Sequence, residues 1–196
     1  MAKTKMTFKA HSELWDKFSR MMDSHFIRRD GFLNHVLGIE TSQIEMELNG
    51  LKLSQSVKDY ISSNFKAMKT IQVSIQLDDS VAERFNAVIK EHNLVRDSVL
   101  NRLLMYLWSA DGFLDEIEVP RTIVDIEDLD ETPTSPVKAI TELINDPMKA
   151  IRKYKEDEDN LGIYNSLDLR QKYPGFIVYM EEVYLPENID SLIDFL

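Results

Sequence analysis

The chain has 196 residues, of which 43% are hydrophobic, with no cysteine and a formal net charge of −11. That apolar content suffices for one core or two small ones, while the absence of thiols excludes a disulfide framework, a cysteine nucleophile and any sulfur-ligated zinc site. The acidity is uneven: residues 1–109 carry 15 Lys and Arg against 13 Asp and Glu, a net of +2, whereas residues 110–196 carry 8 against 21, a net of −13, so total charge does not exclude an anion-binding surface on the first half.

The chain opens with a period-two stretch in which Met6, Phe8 and Ala10 alternate with Lys5, Thr7 and Lys9. This is the spacing of a strand with one buried and one wet face. Leu14, Trp15, Phe18, Met21 and Met22 then follow helical spacing behind Ser12, which is expected to cap that helix. A break at Ser24-His25-Phe26 precedes a second amphipathic helix through Phe32, Leu33, Val36 and Leu37, expected to continue to about Leu48. After Ser54, the residues Val57, Tyr60, Ile61 and Phe65 predict a linking helix over 55–67.

The pattern then repeats. At an offset of 67 residues, 4–37 aligns with 71–104 without a gap and with seven identities: Phe18, His25, Arg29, Asp30, Leu33, Asn34 and Leu37 meet Phe85, His92, Arg96, Asp97, Leu100, Asn101 and Leu104. Val73, Ile75 and Leu77 alternate with Gln72, Ser74 and Gln76. A helix led by Asp79 follows, with Val81, Ala82, Phe85, Val88 and Ile89 on its apolar side. His92-Asn93-Leu94 makes the break, and Val99, Leu100, Leu103 and Leu104 mark the last helix of the unit. A lone strand cannot satisfy its own backbone groups, so each copy needs a partner strand, supplied by the other copy or by a second chain.

Beyond Asp111 an acidic, proline-containing stretch from Glu127 to Pro136 reads as a linker. Ile140, Leu143, Ile144, Met148 and Ile151 point to a helix or helix pair interrupted by Pro147, and Phe176 to Tyr179 to a strand near 175–180. The run from Lys155 to Asp159 reads as a solvated acidic turn, and Leu185, Ile189, Leu192, Ile193, Phe195 and Leu196 form an apolar end suited to a core or a partner. The expected organisation is a first copy (1–53), a connecting helix (54–69), a second copy (70–110), an acidic linker (111–136) and a C-terminal partner-binding or accessory region (137–196).

His11, His25, His35 and His92 form no metal-ligand spacing, and no glycine-rich phosphate loop or nucleophile motif occurs. No catalytic residue, metal or cofactor is therefore expected. No segment reaches the roughly 18 apolar residues of a membrane span, and the first residues lack an apolar leader core, so a cytoplasmic protein without a membrane partner is expected.

The order strand, helix, helix, twice in register, resembles the ribbon-helix-helix (MetJ/Arc, CopG-like) superfamily of DNA-binding regulators, with two copies fused in one chain. The resemblance spans about half of the protein. It implies a mainly α fold with a short two-stranded antiparallel ribbon, a tandem ribbon-helix-helix pseudo-dimer, joined to an acidic α or α+β C-terminal region. It further implies a sequence-specific transcriptional regulator or antitoxin-type repressor that inserts the ribbon into the major groove of double-stranded DNA. Base contacts would then come from Lys5, Thr7, Lys9, Gln72, Ser74 and Gln76, whose side chains suit base edges. Phosphate contacts would come from Arg28, Arg29, Arg96 and Ser98 at the starts of the second helices. The alternative is a protein-interaction module, antitoxin-like or a DNA mimic, whose acidic region 111–196 binds a basic protein partner. A homodimer is compatible with either.

Overall fold

The computed structural model describes residues 2–109, 145–159, 162–165 and 173–185. In order these form β1 (Lys3–His11), α1 (Ser12–Ser24), α2 (Arg29–Leu48), α3 (Gln55–Ala67), β2 (Thr70–Asp78), α4 (Asp79–Glu91), α5 (Arg96–Ser109), α6 (Lys149–Asp159) and α7 (Gly162–Asn165), then single 3-10 turns at Pro174–Phe176 and Glu182–Tyr184. The fold is thus mostly helical around one two-stranded antiparallel sheet. The strands belong to the same chain, α2 ends at Leu48 as expected, and α3 covers the expected 55–67.

The register pairs Lys5 with Gln76, Thr7 with Ser74 and Lys9 with Gln72. Met6, Phe8, Ala10, Val73, Ile75 and Leu77 are all buried on the other face, as period-two alternation requires. There they join Phe18, Met22, Leu33, Val36, Leu37, Phe85, Val88, Val99 and Leu103 in one core. Burial of each large aliphatic or aromatic side chain contributes on the order of 1.5–3 kcal/mol. Among the described residues, no helix is long and apolar enough to cross a membrane.

Each strand runs into its helix without a loop, which shifts the expected caps. Ser12 and Asp79 are the first helical residues; the caps are His11 and Asp78, and neither makes a side-chain cap bond. Their side chains have other tasks: the Asp78 carboxylate accepts from Asn34 Nδ2 at 3.0 Å and that of Asp79 from Thr4 Oγ1 at 2.7 Å. Ser54 does cap α3, its Oγ accepting from the Val57 N–H at 3.3 Å.

The described C-terminal residues pack on the helices of the first half. The expected strand near 175–180 is replaced by a 3-10 turn and irregular chain whose Phe176, Ile177, Val178 and Met180 are buried. Close approach explains it: a Cβ at Gly175 would lie 2.7 Å from Phe65 Cα and 2.7 Å from Met68 Sδ, so the backbone itself is wedged against α3. The run Lys155 to Asp159 closes α6 rather than forming a turn. The expected break at Pro147 is present as a turn ahead of α6. The linker 111–136 and the apolar residues Ile140, Leu143, Ile144, Ile189, Leu192, Ile193, Phe195 and Leu196 lie outside the described residues.

A charged cluster fastens this segment. Glu40, on α2 and fully buried, is ion-paired with Arg152 of α6 and accepts a hydrogen bond from the Tyr164 hydroxyl. Arg152 also reaches Asp146 at 2.8 Å. Burial disfavours the Arg152 charge, but the two carboxylates outweigh it and hold the guanidinium protonated. Burial and the Glu40 charge push the Tyr164 phenol well above its ordinary value, so it serves as a donor. Two turns along α2, the Glu47 carboxylate accepts from the Tyr164 N–H at 2.8 Å and packs on Gly162, whose φ of +67° and lack of Cβ permit the approach. Burial pushes the Glu47 carboxyl up, opposed by the N–H groups of Tyr164 and Ile163.

Removing one partner of such a pair strands the other charge in the core. Arg152→Met is expected to cost about 3–5 kcal/mol in urea unfolding, and the double change Glu40→Leu with Arg152→Met to recover most of it. A double variant as unstable as the single one would show that the cluster acts through shape rather than charge.

Candidate functional site

The centre of the ribbon's wet face is a small polar table of three cross-strand rows, flanked by the pairs Lys3–Asp78 and His11–Thr70. Lys5, Lys9, Gln72, Ser74 and Gln76 are exposed and Thr7 is half-buried. The outer rows each hold one lysine and one glutamine, Lys5 with Gln76 and Lys9 with Gln72. In the middle row the hydroxyls of Thr7 and Ser74 meet at 3.0 Å. The structure thus gathers all six expected base-contacting residues on one accessible surface, with the cations on β1 and the amides on β2.

What positions this table is a set of side chains from the starts of α2 and α5. A two-stranded ribbon leaves backbone groups outside its ladder, and these must find partners. Asp30 accepts from the Gln76 N–H at 3.1 Å, and Asp97 accepts from the Lys9 N–H at 3.2 Å. Asn34 accepts from the Asp78 N–H and Asn101 from the His11 N–H, each at 2.7 Å. Asn101 also donates to the Lys9 carbonyl at 2.8 Å. Shifting each of the first contacts by 67 residues produces its counterpart, and every one joins a helix of one repeat to the strand of the other.

The expected phosphate group divides. Arg96 donates to the Thr7 carbonyl at 2.9 Å and reaches Asp97 at 3.4 Å, so it braces β1. Arg29 donates to Ser19 Oγ at 3.1 Å with its guanidinium 5.9 Å from the Trp15 ring centre. Arg28, the residue before α2, is exposed. Ser98 is fully buried and its Oγ has no hydrogen-bond partner, which removes it from any surface contact. Sequence alignment places it opposite the exposed Gly31, but the first turn of α5 is sunk deeper than that of α2.

The two breaks between helices differ in a way that composition alone does not reveal. Phe26 and Asn93 occupy matching positions and both are left-handed, with φ of 58° and 56°. Asn93 suits that conformation and is tied down, donating to the Leu53 carbonyl at 2.9 Å and accepting from Lys58 at 2.7 Å. Beside it His92 is buried, its ring 2.6 Å from the Leu51 carbonyl. Phe26 instead is 96% exposed. It borders an open groove between the start of α2 and the Lys3–Gln76 end of the ribbon, which Arg28 and Arg29 also line. The signal available in the sequence was the mismatch itself, Phe where the other copy has Asn.

No family model, curated protein or solved structure matches the chain.

The different burdens of Ser98 and Asn101 are separable in urea unfolding. Ser98→Ala removes an unsatisfied hydroxyl and is expected to leave stability unchanged or raise it by up to about 1 kcal/mol, whereas Asn101→Ala strands the His11 N–H and costs about 1–3 kcal/mol. Equal losses from both would contradict this assignment.

Proposed function

We propose that the protein is a sequence-specific DNA-binding regulator, a tandem ribbon-helix-helix pseudo-dimer that lays the wet face of its β1–β2 ribbon in the major groove of double-stranded DNA. The observation that carries this reading is the exposed table of Lys5, Thr7, Lys9, Gln72, Ser74 and Gln76, backed by a buried apolar face and braced through contacts that recur at the repeat offset. An antiparallel ribbon fits the width of the major groove, lysine donates to guanine O6 and N7, and glutamine pairs with adenine N6 and N7 through two bonds. Lysines on one strand and glutamines on the other make the two orientations of the ribbon inequivalent. An imperfectly symmetric target follows, since identical half-sites require identical readers.

Arg28 supplies the charge to a flanking phosphate. Arg96, occupied in holding the β1 backbone, positions the ribbon, and Arg29 is occupied with Ser19 of α1, so neither contacts DNA in this reading. The near-neutral first half implies modest non-specific affinity, so that base contacts weigh more than in a strongly basic protein. The described C-terminal residues spend Arg152 and Tyr164 on the chain itself.

Binding of the full-length protein to duplexes selected from a random pool tests the proposal. The logarithm of the affinity should fall linearly with log salt. Replacing Gln72 and Gln76 by Ala should relax base preference by about 1–3 kcal/mol at the contacted positions, while Arg28→Ala should weaken all sequences alike. Absence of binding at low salt, where phosphate attraction is strongest, would refute DNA binding.

A further inference from the structure

The turn before α2 carries a feature that folding does not require. Phe26 is 96% exposed, among the described residues makes no ring contact, and sits in a left-handed conformation at φ 58°. A bulky side chain in that region is a strained choice, and Asn is among the few residues that adopt it readily. The matching position of the other repeat holds Asn93, bonded to the connecting segment before α3. Phe26 therefore costs stability through backbone strain, and its ring, left in water, gives nothing back through burial. Its surroundings are cationic by one charge: Lys3, Arg28 and Arg29 line the same groove against Asp23 and Asp30, with Arg29 engaged by Ser19 and Asp30 by the Gln76 N–H. The groove is continuous with the polar table, since Gln76 belongs to both and Lys3 lies in the next row of the ribbon.

We propose that Phe26 and this groove form a second, one-sided contact to DNA, on the sugar-phosphate backbone flanking the Lys3–Gln76 end of the ribbon. This rests on the DNA-binding reading and extends it. The ring packs on the apolar C–H face of a deoxyribose, and Arg28 and Lys3 meet the phosphates on either side. The second repeat has no equivalent: Asn93 is held by the chain and Val95 stands where Arg28 does. The protein thus has a long and a short flank, and the long flank sets its direction on the target.

The experiment compares full-length wild type, Phe26→Asn and Phe26→Trp for thermal stability, affinity for a selected duplex and hydroxyl-radical footprint. Phe26→Asn should raise Tm by a few degrees by relieving strain, yet lower affinity by roughly tenfold, the scale of one lost aromatic contact. Its footprint should shorten on one side only, and Phe26→Trp should retain the wild-type footprint. Unchanged affinity and footprint in Phe26→Asn, with binding otherwise intact, would overturn this inference and leave the ribbon reading standing. No DNA binding by wild type would overturn both. Wild-type self-association in sedimentation that Phe26→Asn abolishes would assign the ring to a second copy and also overturn it.

Discussion

The structure depends on satisfying the backbone of a two-stranded ribbon. With only two strands, each carries amide and carbonyl groups that the ladder does not use, and isolated hairpin-like pairs are marginal in water. Here Asp30, Asp97, Asn34 and Asn101 take those groups, and Arg96 adds the Thr7 carbonyl. Each bracing residue lies on the second helix of one repeat and holds the strand of the other. Neither repeat completes its own ribbon, so the polar table exists only when both have folded together.

This constraint sorts the polar residues into two kinds. Those shared by the repeats, Arg29 with Arg96, Asp30 with Asp97 and Asn34 with Asn101, face inward and hold backbone or neighbouring side chains. Among those that differ, Lys5, Lys9, Gln72 and Gln76 face water on the ribbon, and Phe26 and Arg28 face water where the other repeat has the partly buried Asn93 and Val95. A frame kept equal and a surface made unequal is what an asymmetric ligand would require.

Period-two alternation, helical spacing and the register of the repeat made the strands, the first five helices and the buried ribbon face legible in the sequence, because burial of one face imposes a fixed period. The polar table was legible for the same reason, being the other half of the alternation. The inward tasks of Asp30 and Asp97 were not, since a carboxylate in a first helical turn also suits the helix dipole and nothing local distinguishes the two. Ser98 was misplaced because a hydroxyl at a helix start reads as a surface donor until burial is known. The docking of the C-terminal segment was hidden further still. Glu40 and Arg152 are 112 residues apart, and a buried ion pair has no period; the small residues that admit the segment, Gly162 and Gly175, resemble ordinary turn glycines.

The central claim is that the wet ribbon face, and not the docked C-terminal segment, meets the ligand. Titration of isotope-labelled full-length protein with a selected duplex, followed through side-chain amide resonances, tests it directly. Large shifts are expected at the Gln72 and Gln76 side-chain amides, with those of Asn34 and Asn101 nearly unmoved because they remain bonded to the ribbon backbone. Shifts confined to the C-terminal residues, with the ribbon glutamines silent, would contradict it.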